Sequence, residues 1–158
     1  NRYAMIGYIL SNTLSEHGTV ARGVAECDRD LYLRRIVERT KIEKNGDRIR
    51  YFDADGTAHP LTGDEPVSMN LWGFRPSIFA RIQAQFAQFL RERGHEQKAE
   101  LYIPSVVDDL VTAGEATVKV LPSAETWFGV TYRADKALAG ACIRKLIEEG
   151  LYPEKLWS

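Results

Sequence analysis

Alternation of apolar and polar positions dominates the first half of the chain. Tyr3 to Leu10 is apolar and aromatic and runs into the polar loop 11–18, so it predicts a strand. Thr19 to Cys27 predicts a second strand, with Asp28-Arg29-Asp30 as the turn that ends it. Leu31 to Val37 resumes extended structure, with Leu31, Leu33 and Val37 on one alternating face. Asn45-Gly46 and Asp55-Gly56 then supply residues suited to the positive-φ positions of tight hairpin turns. They predict a small antiparallel ribbon over 40–61. Its strands carry few core residues, so it reads as an excursion from the main sheet.

Val67 to Phe74 is the strongest buried-strand pattern, and the period then changes. Pro76-Ser77 marks a helix start, after which Ile78, Ile82, Phe86 and Phe89 recur at helical spacing, widened by Phe79 and Leu90, until Gly94. Pro104 opens a second helix, with Val106, Val107, Leu110 and Val111 on its apolar side and Gly114 at its end. Residues 116–121 and 127–131 predict two strands. Lys136 to Glu149 predicts a third helix that buries Leu138, Cys142, Ile143 and Leu146, with Gly150 just past its end. Strands followed by helix, helix, strand, strand and helix indicate an α/β fold: a mixed sheet flanked by helices, with a small β-hairpin insertion, in one unit over 1–158.

Composition narrows the function classes. With 158 residues, 44% hydrophobic, there is material for one core. A net charge of −1 provides no bulk attraction to nucleic acid, which needs clustered Lys and Arg. No apolar run has the length of a membrane-spanning helix. Cys27 and Cys142 are far apart and lack metal-ligand spacing, which suits two free thiols in a cytoplasmic protein. Asn1 opens directly into a strand pattern with no initiator Met or signal-peptide region, so the chain reads as a piece of a longer protein.

No self-sufficient catalytic set emerges. His17, His59 and His95 fall in predicted loops or turns without partners at metal-ligand spacing, and read as solvated. Asp108-Asp109 reads as an exposed helix face, and Ser11, Ser15, Ser68 and Ser105 lack a nucleophile-elbow context. Three places carry more. Gly23 lies inside a strand, where glycine marks a bulge or a close backbone approach. Glu38 and Arg39, with Lys41 nearby, place an acceptor of sugar hydroxyls beside a cation suited to phosphate. Asn70 puts an amide inside an apolar strand, where it must find partners or lose about 1–3 kcal/mol. A structural role for each is at least as compatible with these residues taken alone.

The order of these segments resembles the sugar-phosphate nucleotidyltransferases, the NDP-sugar pyrophosphorylase-like family, in their C-terminal part. A strand leads into Gly23-Val24, and an acidic turn leads to Val37-Glu38-Arg39, where the family usually has Glu-Lys-Pro reaching the sugar phosphate. Val67 to Phe79, including Pro76-Ser77-Ile78-Phe79, is similar to the next core strand and its helix. Trp127-Phe128-Gly129-Val130-Thr131 is similar to a late aromatic-Asp-x-Gly-Ser/Thr segment. Leu14-Ser15-Glu16-His17-Gly18 and Val37 to Ile42 resemble a bacterial branch of the same family. The resemblance implies Gly23, Glu38, Arg39 and Asn70 as substrate contacts. It also implies a whole enzyme that joins a nucleoside triphosphate to a sugar 1-phosphate, with Mg²⁺ and release of pyrophosphate. Arg39 stands for the usual Lys, Thr40 for Pro, and Gly129 for a metal-binding Asp, so no metal ligand or catalytic residue is assigned in this chain. The family's Gly-rich loop is absent, and the chain alone is expected to be inactive. A non-catalytic sugar-nucleotide-binding or regulatory module is the alternative, and a homo-oligomer is compatible with either.

Overall fold

The computed structural model describes residues 1–15, 18–130, 133–155 and 157, and the chain divides into two compact units, 1–125 and 126–158. In the first unit, β1 (Arg2–Ile9) leads through a 3₁₀ turn (Leu10–Thr13) to β2 (Val20–Cys27) and β3 (Leu33–Asn45). β4 (Arg48–Phe52), β5 (Ala58–Leu61) and β6 (Pro66–Gly73) follow, then helices α1 (Ser77–Arg93) and α2 (Ile103–Thr112), and finally β7 (Thr117–Ser123). The strands form a seven-stranded sheet in the order β5-β4-β3-β2-β6-β1-β7. β1 and β7 are parallel and the other pairs antiparallel, so the sheet is mixed, as the element pattern predicts.

The ribbon is placed correctly but is not an excursion. Gly46 (φ 60°) and Gly56 (φ 87°) hold the two predicted turns. Yet β3 continues unbroken for thirteen residues from the centre of the sheet into the ribbon. Ile42 and Ile49 explain this, because they are buried with Leu10, Val20 and Val67 in a cluster of their own. Burial of each such side chain is worth about 1.5–3 kcal/mol, so the strands have a core after all.

The opposite face of the sheet carries the larger cluster. Tyr3 and Met5 of β1, Ala25 of β2, Leu33 and Ile36 of β3 and Val118 and Val120 of β7 pack with Val106, Val107 and Leu110 of α2 and Ile78 of α1. Leu33 and Ile36 share this face although they are three apart, because the β2–β3 register shifts between Glu26 and Cys27. That shift corrects the predicted face of Leu31, Leu33 and Val37: only Leu33 is buried, and Leu31 lies in the exposed turn at φ 58°. The turn reaches the free edge of β7, where Tyr32 bridges Lys119 and the Leu31 carbonyl accepts from the Val120 amide at 2.8 Å. The sheet is thereby curled.

Helix α2 matches its pattern, whereas α1 buries less than its stripe predicts. Phe79 is 71% exposed, and Phe86 and Leu90 are about half exposed at 47% and 51%. In the second unit, residues 127–130 are irregular rather than a strand, and Thr131 lies outside the described residues. Helix α3 (Asp135–Glu148) forms within a residue of its predicted start, but Leu138 and Ile143 are exposed, not buried. Among the described residues no helix is long and apolar enough to cross a membrane.

Candidate functional site

Reading across the sheet, Gly7 of β1, Ser68 of β6, Gly23 of β2 and Glu38 of β3 lie side by side. The last three bring two of the predicted site residues together with a buried serine. Gly23 itself is buried, and what approaches it is protein. A Cβ there would meet Pro104 Cγ at 3.1 Å, Ile36 Cδ1 at 3.2 Å and Ser68 Cβ at 3.3 Å. Its lack of a side chain therefore seats the start of α2 on the sheet. Pro104 begins that helix, and the Tyr102 carbonyl accepts from the Ser105 amide at 3.1 Å.

Glu38 lies opposite Gly23 and is half-buried. Burial raises its pKa, the charge of Arg22 opposes that rise, and the charge of Glu100 adds to it. Tyr102 belongs to the same neighbourhood. Its phenol is raised first by hydrogen bonding to Glu100, then by burial and by the carboxylates of Glu100 and Glu38. Glu38, Glu100 and Tyr102 thus form a group rich in acceptors, suited to hydroxyl donors and unfavourable to an anion.

Arg39 is held elsewhere. Neighbouring strand residues face opposite ways, and its guanidinium lies 4.0 Å from the centre of the Tyr51 ring and 3.6 Å from Asp53 Oδ1. His59 stacks on the same tyrosine with centroids 4.8 Å apart, and its Nε2 is 2.7 Å from Asp53 Oδ2. The ribbon therefore engages Arg39, and the expected Glu38–Arg39 pair is split between the two faces. Arg22 is likewise engaged: Nε donates to Thr13 Oγ1 at 3.1 Å, Nη1 to the Ala21 carbonyl at 2.7 Å and Nη2 to the Thr13 carbonyl. Burial lowers its pKa, against the charge of Glu38.

Asn70 is not enclosed. It is exposed at φ 59°, where the β1–β6 register shifts, and its amide donates to Ser68 Oγ at 3.1 Å. Asparagine is among the residues that tolerate this conformation, so a bulge accounts for the polar residue in an apolar strand. It lies two residues beyond Ser68, the β6 member of the row that contains Gly23 and Glu38. His17 lies outside the described residues, and His95 is exposed.

Three contributors escaped sequence reasoning. Asp108 is not a solvated helix carboxylate: Oδ1 accepts from the Ile36 amide at 2.7 Å and from Arg35 Nε at 3.3 Å. It ties α2 to β3 two residues before Glu38. Glu100 and Tyr102 stand just before α2, and only the proline after them signalled that they would be fixed in place.

The donor set does not fit a Mg²⁺ site. Among the described residues no three His, Cys, Asp or Glu side chains gather as ligands. At position 129 a Cβ would collide with the Trp127 indole, so no carboxylate replaces the glycine without displacement of that ring. No protein-family model matches the sequence, and no curated protein is significantly similar to it.

Proposed function

We propose that this chain forms the sugar-side wall of a nucleotidyltransferase, which in its complete form moves a nucleotidyl group from a nucleoside triphosphate to a sugar 1-phosphate and releases pyrophosphate. The observation that carries the reading is Glu38. It is a half-buried carboxylate on β3 with the oxygens of Glu100 and Tyr102 near it, and among the described residues its side chain accepts no hydrogen bond, so it can accept from a ligand's hydroxyls. Burial raises its pKa against the opposing charge of Arg22, and the partly buried surroundings strengthen any bond to an incoming hydroxyl. Gly23 contributes by seating α2, and Asn70 borders the same row from its exposed bulge.

In this reading Glu38 fixes the sugar by accepting from its hydroxyls, and Tyr102 and Glu100 limit how the ring sits. The phosphate is left to cations outside this cluster, because Arg39 is engaged by Tyr51 and Asp53. Nucleotidyl transfer relies mainly on positioning and charge stabilisation, so a rigid sugar wall is a coherent contribution.

A second reading has its own observation. Trp127 fills the space that a carboxylate at 129 would need, which favours a sugar-nucleotide-binding module without transfer activity. Titration of sugar 1-phosphates into the chain, followed by NMR, tests the sugar wall: shifts centred on Glu38, Ser68 and Tyr102 are expected, and their loss in Glu38→Ala. Wild-type binding by Glu38→Ala would remove Glu38 from the site. Pyrophosphate release by the full-length protein, with a panel of nucleotides and sugar phosphates, separates the transferase from the binding module.

A further inference from the structure

A cleft of about 650 Å³ opens where β1 and β7 begin, beside the β2–β3 turn, and none of its lining belongs to the Glu38 cluster. Arg2, Arg34 and Lys119 border it, with Tyr32 as a half-exposed aromatic wall and Leu33 and Ala116 as apolar lining.

The charges in this cleft do not cancel. Arg34 Nη2 donates to Asp28 Oδ2 at 2.8 Å, and that pair is self-contained. The other Asp28 oxygen accepts from the amides of Asp30 and Tyr32 at 3.0 and 2.8 Å, so the carboxylate is occupied on both sides. Lys119 has no carboxylate partner among the described residues. Its ammonium donates to the Asp30 carbonyl and lies 4.9 Å from the centre of the Tyr32 ring. The Arg2 side chain has no hydrogen bond or ion pair among the described residues. Two cations therefore remain for a ligand.

The wall is also held in place. Tyr32 bridges Lys119, and the Leu31 carbonyl accepts from the Val120 amide, which fixes the turn against β7. Leu31 takes φ 58° to do so, a conformation unfavourable for a leucine.

We propose that this cleft binds a small organic phosphate monoester, with the phosphate between Arg2 and Lys119 and a planar ring against Tyr32. A guanidinium fork and an ammonium together match the several oxygens of a phosphate dianion. The volume lies within the range of small-molecule sites and leaves room for an organic body beside the phosphate. The aromatic wall and apolar lining suit a flat ring.

Phenyl phosphate, inorganic phosphate and phenol, each titrated into the 158-residue chain and followed by amide NMR, test the assignment. Phenyl phosphate should shift Tyr32, Arg34, Thr117 and Lys119 saturably and bind at least about tenfold tighter than either fragment. Lys119→Gln and Arg2→Gln should each weaken it at least about tenfold, since a charged hydrogen bond contributes that much. Arg2 is exposed, so its replacement keeps the test valid if Lys119→Gln disturbs the turn. Glu38→Gln should leave the affinity unchanged, which separates this cleft from the sugar wall. Shifts that never saturate, equal binding of inorganic phosphate, or full affinity in both charge variants would overturn the proposal.

Discussion

Truncation of Asp108 probes how β3 is held just before Glu38. The carboxylate makes two bonds, to the Ile36 amide at 2.7 Å and to Arg35 Nε at 3.3 Å, and they differ in worth. The Arg35 side chain is 55% exposed, so its ion pair contributes at most about 1 kcal/mol. Ile36 is buried, and its amide donates to a charged acceptor in partly buried surroundings. Loss of that acceptor leaves a backbone donor unsatisfied, at about 1–3 kcal/mol. Asp108→Ala should therefore destabilise the protein by about 2–3 kcal/mol. For a unit of this size one kcal/mol shifts Tm by roughly 4 °C, so a drop of roughly 8–12 °C is expected in thermal unfolding followed by circular dichroism. Asp108→Asn keeps a carbonyl acceptor without the charge, and should lose about half as much. Arg35→Ala should lose under about 1 kcal/mol. An Asp108→Ala loss no larger than that of Arg35→Ala would mean that water satisfies the Ile36 amide, and would refute the anchoring role.

Three further substitutions separate local causes. Glu38 has a folded pKa above its ordinary value, so the folded state holds the proton more tightly than the unfolded chain and loses stability as pH rises through the carboxylate range. Glu38→Gln should stabilise the chain at pH 7 by less than about 1 kcal/mol, with no difference below about pH 4; a destabilised variant at pH 7 would contradict the burial argument. Gly23→Ala would press on Pro104, Ile36 and Ser68, and should lower stability by about 1–3 kcal/mol in urea unfolding even without ligand. Unchanged stability would return Gly23 to a ligand-facing role. Leu31→Gly removes the Cβ that makes φ 58° unfavourable, and should raise Tm by a few degrees; a fall would show that the leucine side chain matters more than the backbone.

The elements that sequence alone located share one property: their signals are local. Gly46 and Gly56 sit in the turns that Asn45-Gly46 and Asp55-Gly56 announced, and Pro104 opens α2 where its fixed φ allows a helix to start. What was misread depended on partners distant in the chain. The ribbon looked coreless until Leu10, Val20 and Val67 covered Ile42 and Ile49. Leu31 looked like a core residue until the register shift after Glu26 moved the buried positions to Leu33 and Ile36. The apolar stripe of α1 has helical spacing, yet only Ile78 of it is fully buried, because periodicity describes a face and not what covers it.

The site divides in the same way. Alternation puts Glu38 on the same strand face as Ile36, but α2, distant in the chain, decides that this face is covered. The separation of Glu38 from Arg39 follows from period two, but that rule says only that they diverge. Where Arg39 goes is decided by Tyr51 and Asp53, brought alongside by the β3–β4 hairpin. Gly23 invited a ligand by the same reasoning that invites a helix, since both exploit missing side-chain volume. The 3.1 Å approach of Pro104 decides for the helix. Gly23 thereby affects function at one remove: it lets α2 lie close, Asp108 of that helix pins Ile36, and Glu38 is presented two residues later. If this chain of contacts is correct, Gly23→Ala and Asp108→Ala should be less than additive in stability, because either alone loosens the same α2–β3 seam. Additivity within about 0.5 kcal/mol would show the two contacts to be independent.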